Sequence, residues 1–559
     1  MQEIDPIQQK PEHQQASDRV ASWQTPRRRI AMVLIAVLAI VMLALLPPLI
    51  NVNRFQRRIA TSIGGSLGRP VHLDRVTLSL LPLPGFTLEN FVVGEDPAFG
   101  FEPIIRANEV RATLRLSSLW RRRVEFSTIS FRDPSVNLVH MPDGKWNIES
   151  ILLQASRIAA APTAQENAGP APRFPYIEAT GARLNLKQGA EKTPFSLTDA
   201  EFALWLPNPE HWRLRLQGRP VRTDTSVSDT GAVRLEATLG RAASLDQVPI
   251  ELDGAWRGAP LGEATRFVFG RDAGWRGDLT LETAIRGTMG QSTVQTRLRV
   301  NDARREDFVP EQPLAVDLDC HGQASDLFHR LTRVRCSWPP GGGGDQKITL
   351  SAEVADVRNW RAATAEAGIA GVPASTLVDW WHVLSSRVPA GVSAEGTLSG
   401  SLSYDGKRSG LRWNGELVVS GARLKTANDS PLVSGDVALR SMEAPTLGAR
   451  FRRISMPLSD SLQLEPVSLE LGGREPAVLT GQIDETGSTL HLTGMASKAR
   501  LEALGKAVPQ LGDGLVEVLP TDRAAGPFRV DLTATRPWGA IQVWHDNTLR
   551  SVSPPRRHR

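Results

Sequence analysis

The pattern of apolar and polar positions changes character three times along the chain. Ile30 to Ile50 is a run of 21 residues without a charge. At 1.5 Å per residue it reaches about 32 Å as a helix, enough to cross a hydrocarbon core. Arg27, Arg28 and Arg29 precede it, and no small-x-small cleavage site follows, which favours a retained anchor over a cleaved signal. Pro47 and Pro48 lie near its end, where a helix can stop at the interface. Next, Phe55, Ile59, Ile63 and Leu67 recur every four residues, with Arg54, Arg57 and Arg58 elsewhere on the wheel. This predicts an amphipathic helix that either lies on a membrane surface or caps the end of a sheet.

From Val71 onward the period becomes two. Val76, Leu78 and Leu80 alternate with Thr77 and Ser79; Val110, Ala112, Leu114 and Leu116 alternate with Arg111, Thr113 and Arg115. Such alternation predicts strands with one apolar face. After a turn at Asp143-Gly144, helical spacing over 147–158 predicts a helix, with Asn147 placed to cap it. Residues 160–173 are rich in Ala and Pro and read as a flexible linker. Alternation then resumes over 174–497, for instance at Leu184 and Leu186, Leu279 and Leu281, Leu398 and Leu402, and Leu490 and Leu492. Two further helices are expected. One carries Leu377, Trp381, Leu384 and Val388 behind a Ser375 cap, and the other carries Leu501, Leu504 and Val508.

These elements predict a mainly β protein with a few helices. An open sheet seldom exceeds about ten strands without curling or splitting. With more strands than that, the body must curl into one or more long curved antiparallel sheets, forming a groove or barrel-like shape. The expected organisation is a cytoplasmic tail over 1–29, a transmembrane helix over 30–50, an N-terminal module over 51–159 and the linker. A β-rich domain over 174–540 and a C-terminal tail over 541–559 follow. Four arginines in residues 15–29 against three in 51–65 favour a cytoplasmic N-terminus. The C-terminal body then lies across the membrane.

Composition adds little. The chain carries a net charge of +5, and only 9 of its 65 basic residues are lysine. Charges of both signs are spread along it, and no nucleic-acid-binding motif accompanies them, so nucleic acid is not an expected partner. Gly341 to Gly344 lacks the lysine of a phosphate-binding loop, and Asp317 and Asp319 alternate with leucines on what reads as a solvated strand face. His321 and His329 flank Cys320 at spacings that fit no zinc pattern. No catalytic residue, metal or cofactor is assigned, and the chain is read as non-enzymatic.

Two constellations remain. Cys320 and Cys336 follow period two on neighbouring strands and would face the same side of a hairpin, which makes a disulfide the expected state in an oxidising compartment. Leu314, Val316 and Leu318, with Leu298 and Val300, are the candidates for an apolar groove.

The stretch from Asn51 to Leu152 resembles the N-terminal part of AsmA-family proteins. The matching pieces occur in order: Gly68-Arg69-Pro70-Val71, then Val76-Thr77-Leu78-Ser79-Leu80 with its Leu-Pro-x-Pro-Gly turn, then Phe99-Gly100-Phe101-Glu102-Pro103. Leu119-Trp120-Arg121-Arg122, Asp133-Pro134-Ser135-Val136-Asn137 and Asp143-Gly144-Lys145-Trp146-Asn147 follow. The resemblance implies a single-pass anchor in a bacterial inner membrane, a periplasmic body and a role in envelope or outer-membrane biogenesis. Larger relatives look like lipid-transfer bridges, for which this chain is short. Two readings follow. In the first, the groove binds or passes lipid acyl chains. In the second, the body is a periplasmic scaffold that influences outer-membrane assembly partners without carrying lipid.

Overall fold

A computed structural model describes residues 30–38, 41–42, 56–79, 83–119, 126–141, 145–148, 175–189, 191–208, 210–223, 230–340, 344–389, 391–408, 411–426, 431–442, 461–519 and 526–547. Among these, twenty-five strands form a single curved, mixed sheet. Val71–His72 and Arg75–Ser79 both pair with Gly85–Val93, which pairs with Ile105–Leu114. Phe126–Arg132 and Ser135–His140 both pair with Ile105–Leu114 and then, in parallel, with Tyr176–Gln188. From Tyr176 to Asp546 each strand pairs antiparallel with the next. The expected linker at 160–173 lies outside the described residues, but it separates no sheets. The last strand, Val543–Asp546, falls within 541–559, where a tail was expected. It is held there by Trp544, which is buried and donates its indole N–H to the Leu511 carbonyl at 3.1 Å.

The helix Gln56–Leu67 packs on the first strands. Ile59, Ile63 and Leu67 meet Leu73, Val76, Leu88 and Phe91, so of the two readings for this helix the sheet-capping one holds; Phe55 lies outside the described residues. Residues 30–38 and 41–42 are helical with exposed side chains. The rest of the 30–50 run is outside the described residues, and among those described no helix is long and apolar enough to cross a membrane.

Three local expectations are corrected. Asn147 caps no described helix; it is fully buried, with its side chain bonded to the backbone of the strand Ser135–His140 at Asn137 and Val139. The body of the helix expected at 147–158 is outside the described residues. An unexpected helix, Leu261–Phe269, comes first; the helix expected with a Ser375 cap is Ala374–Leu384, so Ser375 lies inside it and Val388 beyond it. Its N-cap is Pro373, without a side-chain hydrogen bond, and its buried face is Ala374, Val378, His382 and Val383. On Tyr176–Gln188 the expected apolar face inverts: Leu186 is 40% exposed while Asn185 and Lys187 are buried. Bulges near Ala182 and Asn185 shift the register against the next strand and rotate the side chains.

Candidate functional site

The two faces of the meander differ in chemistry. One row runs through Val233, Trp256, Leu281, Leu298 and Leu318, each directly opposite the next. It resumes through Trp338, Ile348, Ile369, Gly400, Leu417 and Leu439. The adjacent row contains Leu216, Leu235, Cys320, Cys336, Leu350 and Leu402. Between these positions, on the opposite face, stand cross-strand ion pairs: Arg257–Glu282 at 2.6 Å, Arg299–Glu282 at 2.9 Å, Arg286–Asp253 at 2.8 Å and Arg440–Glu416 at 2.6 Å. Arg297 forks onto Asp317 at 2.8 and 2.5 Å, and its hydrogen bond holds that carboxyl below the usual range. Such half-exposed pairs contribute about 0–1 kcal/mol each. Their main effect is to keep one face wet.

The apolar face carries a helix, whereas the charged face is hollowed across the strands from His211 to Arg305, where Gln217, Arg234, Asp253, Glu282 and Arg297 line a cavity. Ala374–Leu384 packs on Gln291–Arg305 and Leu314–Ser325 and also on Thr364–Pro373 and Ser393–Asp405, without comparable contact to the two strands between. The two strands between stop short of this end, since Lys347 pairs with Ala370 and Leu314–Val316 extend beyond the Arg330–Trp338 pairing. The helix covers part of the floor: Val300, Leu314, Ala303 and Val383 form a buried cluster with Leu261, and Val316, Leu279, Trp275 and Trp380 pack against it. Further along, Lys498–Ala507 and the turns after it fill the last strands with Leu501, Leu504, Leu511 and Leu515.

The five groove candidates therefore divide. Val300 and Leu314 are buried in a filled core, and Val316 packs against it. Leu298 and Leu318 are half-exposed and belong to no buried cluster of the described residues. The same holds for Val233, Leu235, Leu281, Ile348, Leu402 and Leu417, and Leu350 is 38% exposed. This open floor spans ten strand spacings from His211–Arg222 to Trp413–Lys425. At about 4.8 Å per spacing it is about 48 Å long.

Cys320 and Cys336 face each other across two strands on this floor and are joined as a disulfide. Their separation of 16 residues sets the expected effect of removing the link. Cys320→Ala with Cys336→Ala should lower unfolding free energy by about 3 kcal/mol in a urea titration. A shift under about 0.5 kcal/mol would show that the hairpin is equally constrained without it.

On the covering helix, burial pushes the Asp379 carboxyl above its ordinary range, with the neighbouring Glu311 adding to it and His382 opposing. A raised folded-state pKa means the native state holds this proton more tightly than the unfolded chain, so stability falls as pH rises through the window between the two values. Asp379→Asn should raise the melting temperature at pH 7 and leave it unchanged below the ordinary carboxylate range. Equal effects at both pH values would contradict this.

A second constellation was not visible in the sequence. Asn147 accepts from the Val139 N–H at 3.0 Å and donates to the Asn137 carbonyl at 2.9 Å and the Glu95 carboxylate at 2.5 Å. Arg69, buried, pairs with Glu95 at 3.5 Å and Asp96 at 3.2 Å and donates to the Asn147 carbonyl at 3.3 Å. Asn185 donates to Asn137 Oδ1 at 3.1 Å and accepts from Ser196 Oγ at 2.9 Å. Lys187 pairs with Glu102 at 2.5 Å. These groups tie the first strands to the start of the meander. No proton-transfer or nucleophilic geometry accompanies them. Among the described residues no group of three or more His, Cys, Asp or Glu could hold a metal ion.

Fold and site together define a class: a long curved β-sheet with one apolar and one charged face. The sequence model of the AsmA family matches residues 27–198, and over this segment the chain is similar to AsmA family proteins. The match contains every residue of the buried polar network. No curated protein and no solved structure matches the chain.

Proposed function

We propose that the protein is a non-enzymatic, membrane-anchored envelope-biogenesis factor that holds lipid acyl chains on the apolar face of its sheet. The observation that carries this reading is the half-exposed apolar floor between Leu216 and Leu417, which no described segment fills. Each fully buried branched side chain contributes about 1.5–3 kcal/mol, so leaving this many half-wet is costly unless something apolar covers them. The floor, about 48 Å long, exceeds the roughly 30 Å of a bilayer's hydrocarbon core. It has room for acyl chains. The AsmA match and the uncharged run at 30–50 support an inner-membrane anchor with the β body in the periplasm. The disulfide suits that compartment.

Lipid extraction and mass spectrometry of the full chain, purified in a mild detergent, should find bound diacyl lipid in near-stoichiometric amount. A body that purifies free of lipid, and takes up none from labelled vesicles, would sink the reading in favour of a scaffold. A periplasm-dependent reporter fused after residue 559 should be active, and activity of a cytoplasm-only reporter there would reverse the topology.

A further inference from the structure

One buried side chain pins the helix Ala374–Leu384 to its surroundings. His382 is 3% exposed. Its Nδ1 lies 2.9 Å from the Val378 carbonyl oxygen, one turn back on the same helix. Its Nε2 lies 2.7 Å from the Pro389 carbonyl oxygen, in the turn that follows. A carbonyl only accepts, whereas a neutral imidazole donates through one nitrogen and presents a lone pair at the other. Either neutral tautomer would therefore set a lone pair against a carbonyl oxygen in a buried site. Only the imidazolium makes both bonds, and a charged donor makes them about twice as strong as a neutral one. The ring also stacks on Phe308, with centroids 4.3 Å apart and planes at 15°, an arrangement that favours a positive ring.

These contacts join three segments: the helix, the return through Pro389 to the strand Ser393–Asp405, and the loop of Phe308 that follows Gln291–Arg305. The Pro389 carbonyl also accepts from the Val392 N–H at 3.0 Å. At the other end of the helix the N-cap, Pro373, makes no side-chain hydrogen bond. Val383, next to His382, seals Val300 and Leu314. Val300 is two residues from Leu298 and Leu314 is four from Leu318, so all four share a face. The patch under the helix thus continues the open floor along the strands.

The charged groups around His382 come from several elements. Asp379, on the same helix, interacts with it electrostatically, and Glu311 on the Phe308 loop stands near Asp379. On that loop Asp307 pairs with Arg305 at 2.8 Å, beside the end of the helix, and Glu306 pairs with Arg276 at 3.2 Å. Arg387, beyond the helix, is paired with Asp513. Asp317, Glu366 and Glu395, on three of the strands beneath, alternate onto the opposite face.

We propose that the helix Ala374–Leu384 is a lid over one end of the apolar floor, latched by protonated His382. The closed helix favours the protonated ring, so closure is fullest in acid and weakens as pH rises through the imidazole range. An open lid adds Val300 and Leu314 to the surface that Leu298 and Leu318 already offer. The lid's purpose rests on the proposed acyl-chain binding; the latch does not.

The test is hydrogen exchange of the full chain in detergent at about pH 5.5 and about pH 8, on either side of the ordinary imidazole range, with rates corrected for the intrinsic effect of pH. Protection over Ala374–Leu384 should fall about tenfold or more towards the higher pH, since release of one proton shifts an opening equilibrium by up to about tenfold per pH unit. The uncovered strand Ala232–Gly240 should change by less than about twofold. His382→Gln, whose amide donates without titrating, should lose the dependence. Asp379→Asn should keep it, which separates the latch from a carboxyl whose titration acts in the same direction. Equal protection at both pH values would overturn the latch, as would a dependence that survives in His382→Gln or vanishes in Asp379→Asn. If His382→Gln does not fold, Asp379→Asn decides alone. Uptake of labelled acyl chains from vesicles should be greater at the higher pH. Equal uptake at both would overturn the lid and leave the latch standing. No uptake at either would overturn the acyl-chain reading and the lid with it, and exchange would still judge the latch.

Discussion

Replacing Leu281 and Leu318 together with Asp is expected to leave the protein folded and strip it of bound lipid. The two leucines flank Leu298 in one row of the floor, each half-exposed and outside every buried cluster of the described residues. They stand two strand spacings apart, about 9.6 Å. The new carboxylates therefore avoid the repulsion of a directly opposite pair. On the uncovered apolar face they remain in water and cost little. Against acyl chains they would be charges in hydrocarbon, which costs far more than the contacts could return. Val300→Asp is the contrasting variant. Val300 is 8% exposed and sealed by Leu261, Ala303 and Val383. It should lose about 4 kcal/mol or more of stability, or fail to fold. Urea titration separates the two classes, and mass spectrometry reads the lipid. A folded Leu281→Asp/Leu318→Asp protein with its full complement of lipid would remove these positions from any binding surface.

That contrast marks where the sequence stops being readable. Period two along Leu279–Leu281 or Leu298–Val300 reveals a sheet with one apolar face, because a one-sided sheet can be made in no other pattern. It does not reveal which part of that face is covered. Val300 and Leu298 look alike in sequence. They differ because Val383, on a distant helix, happens to dock over one of them. The excess of strands required curvature, and the single sheet is curved. The curled body and the shared face of Cys320 and Cys336 were thus legible. The helix limits were less so, since Ser375 is a good cap by type and the chain uses Pro373 instead. Least legible was the buried polar network. Asn137, Asn185 and Lys187 are residues that ordinarily mark a solvated face. A bulge, itself invisible in the alternation, turns Asn185 and Lys187 inward. The one available signal was that Arg69, Glu102, Asn137 and Asn147 all fall in the ordered motifs that carried the family resemblance.

Arg69→Met is the substitution expected to cost the most among the polar positions. Arg69 and Glu95 have side chains only 4% and 2% exposed. Removing the guanidinium leaves the Glu95 carboxylate buried with the Asn147 amide and the Asp96 backbone N–H as its described hydrogen-bond donors and no paired cation. Breaking a buried pair in this way costs about 3–5 kcal/mol, because the orphaned charge keeps its full desolvation penalty. The loss should spread along the network. Asn147 holds the Val139 and Asn137 backbones, and Asn137 in turn holds Asn185 on the first strand of the meander. Hydrogen exchange should therefore accelerate over Ser135–His140 and Tyr176–Gln188, with the far end of the sheet unchanged. Adding Glu95→Gln should recover part of the stability, since it removes the uncompensated charge and keeps the amide within reach of the same partners. By comparison, Arg257→Met on the charged back removes an exposed pair and should change stability by less than about 1 kcal/mol. If Arg69→Met and Arg69→Met/Glu95→Gln unfold at the same urea concentration, burial of charge is not what makes this junction sensitive. The loss would then belong to the packing of the arginine stem.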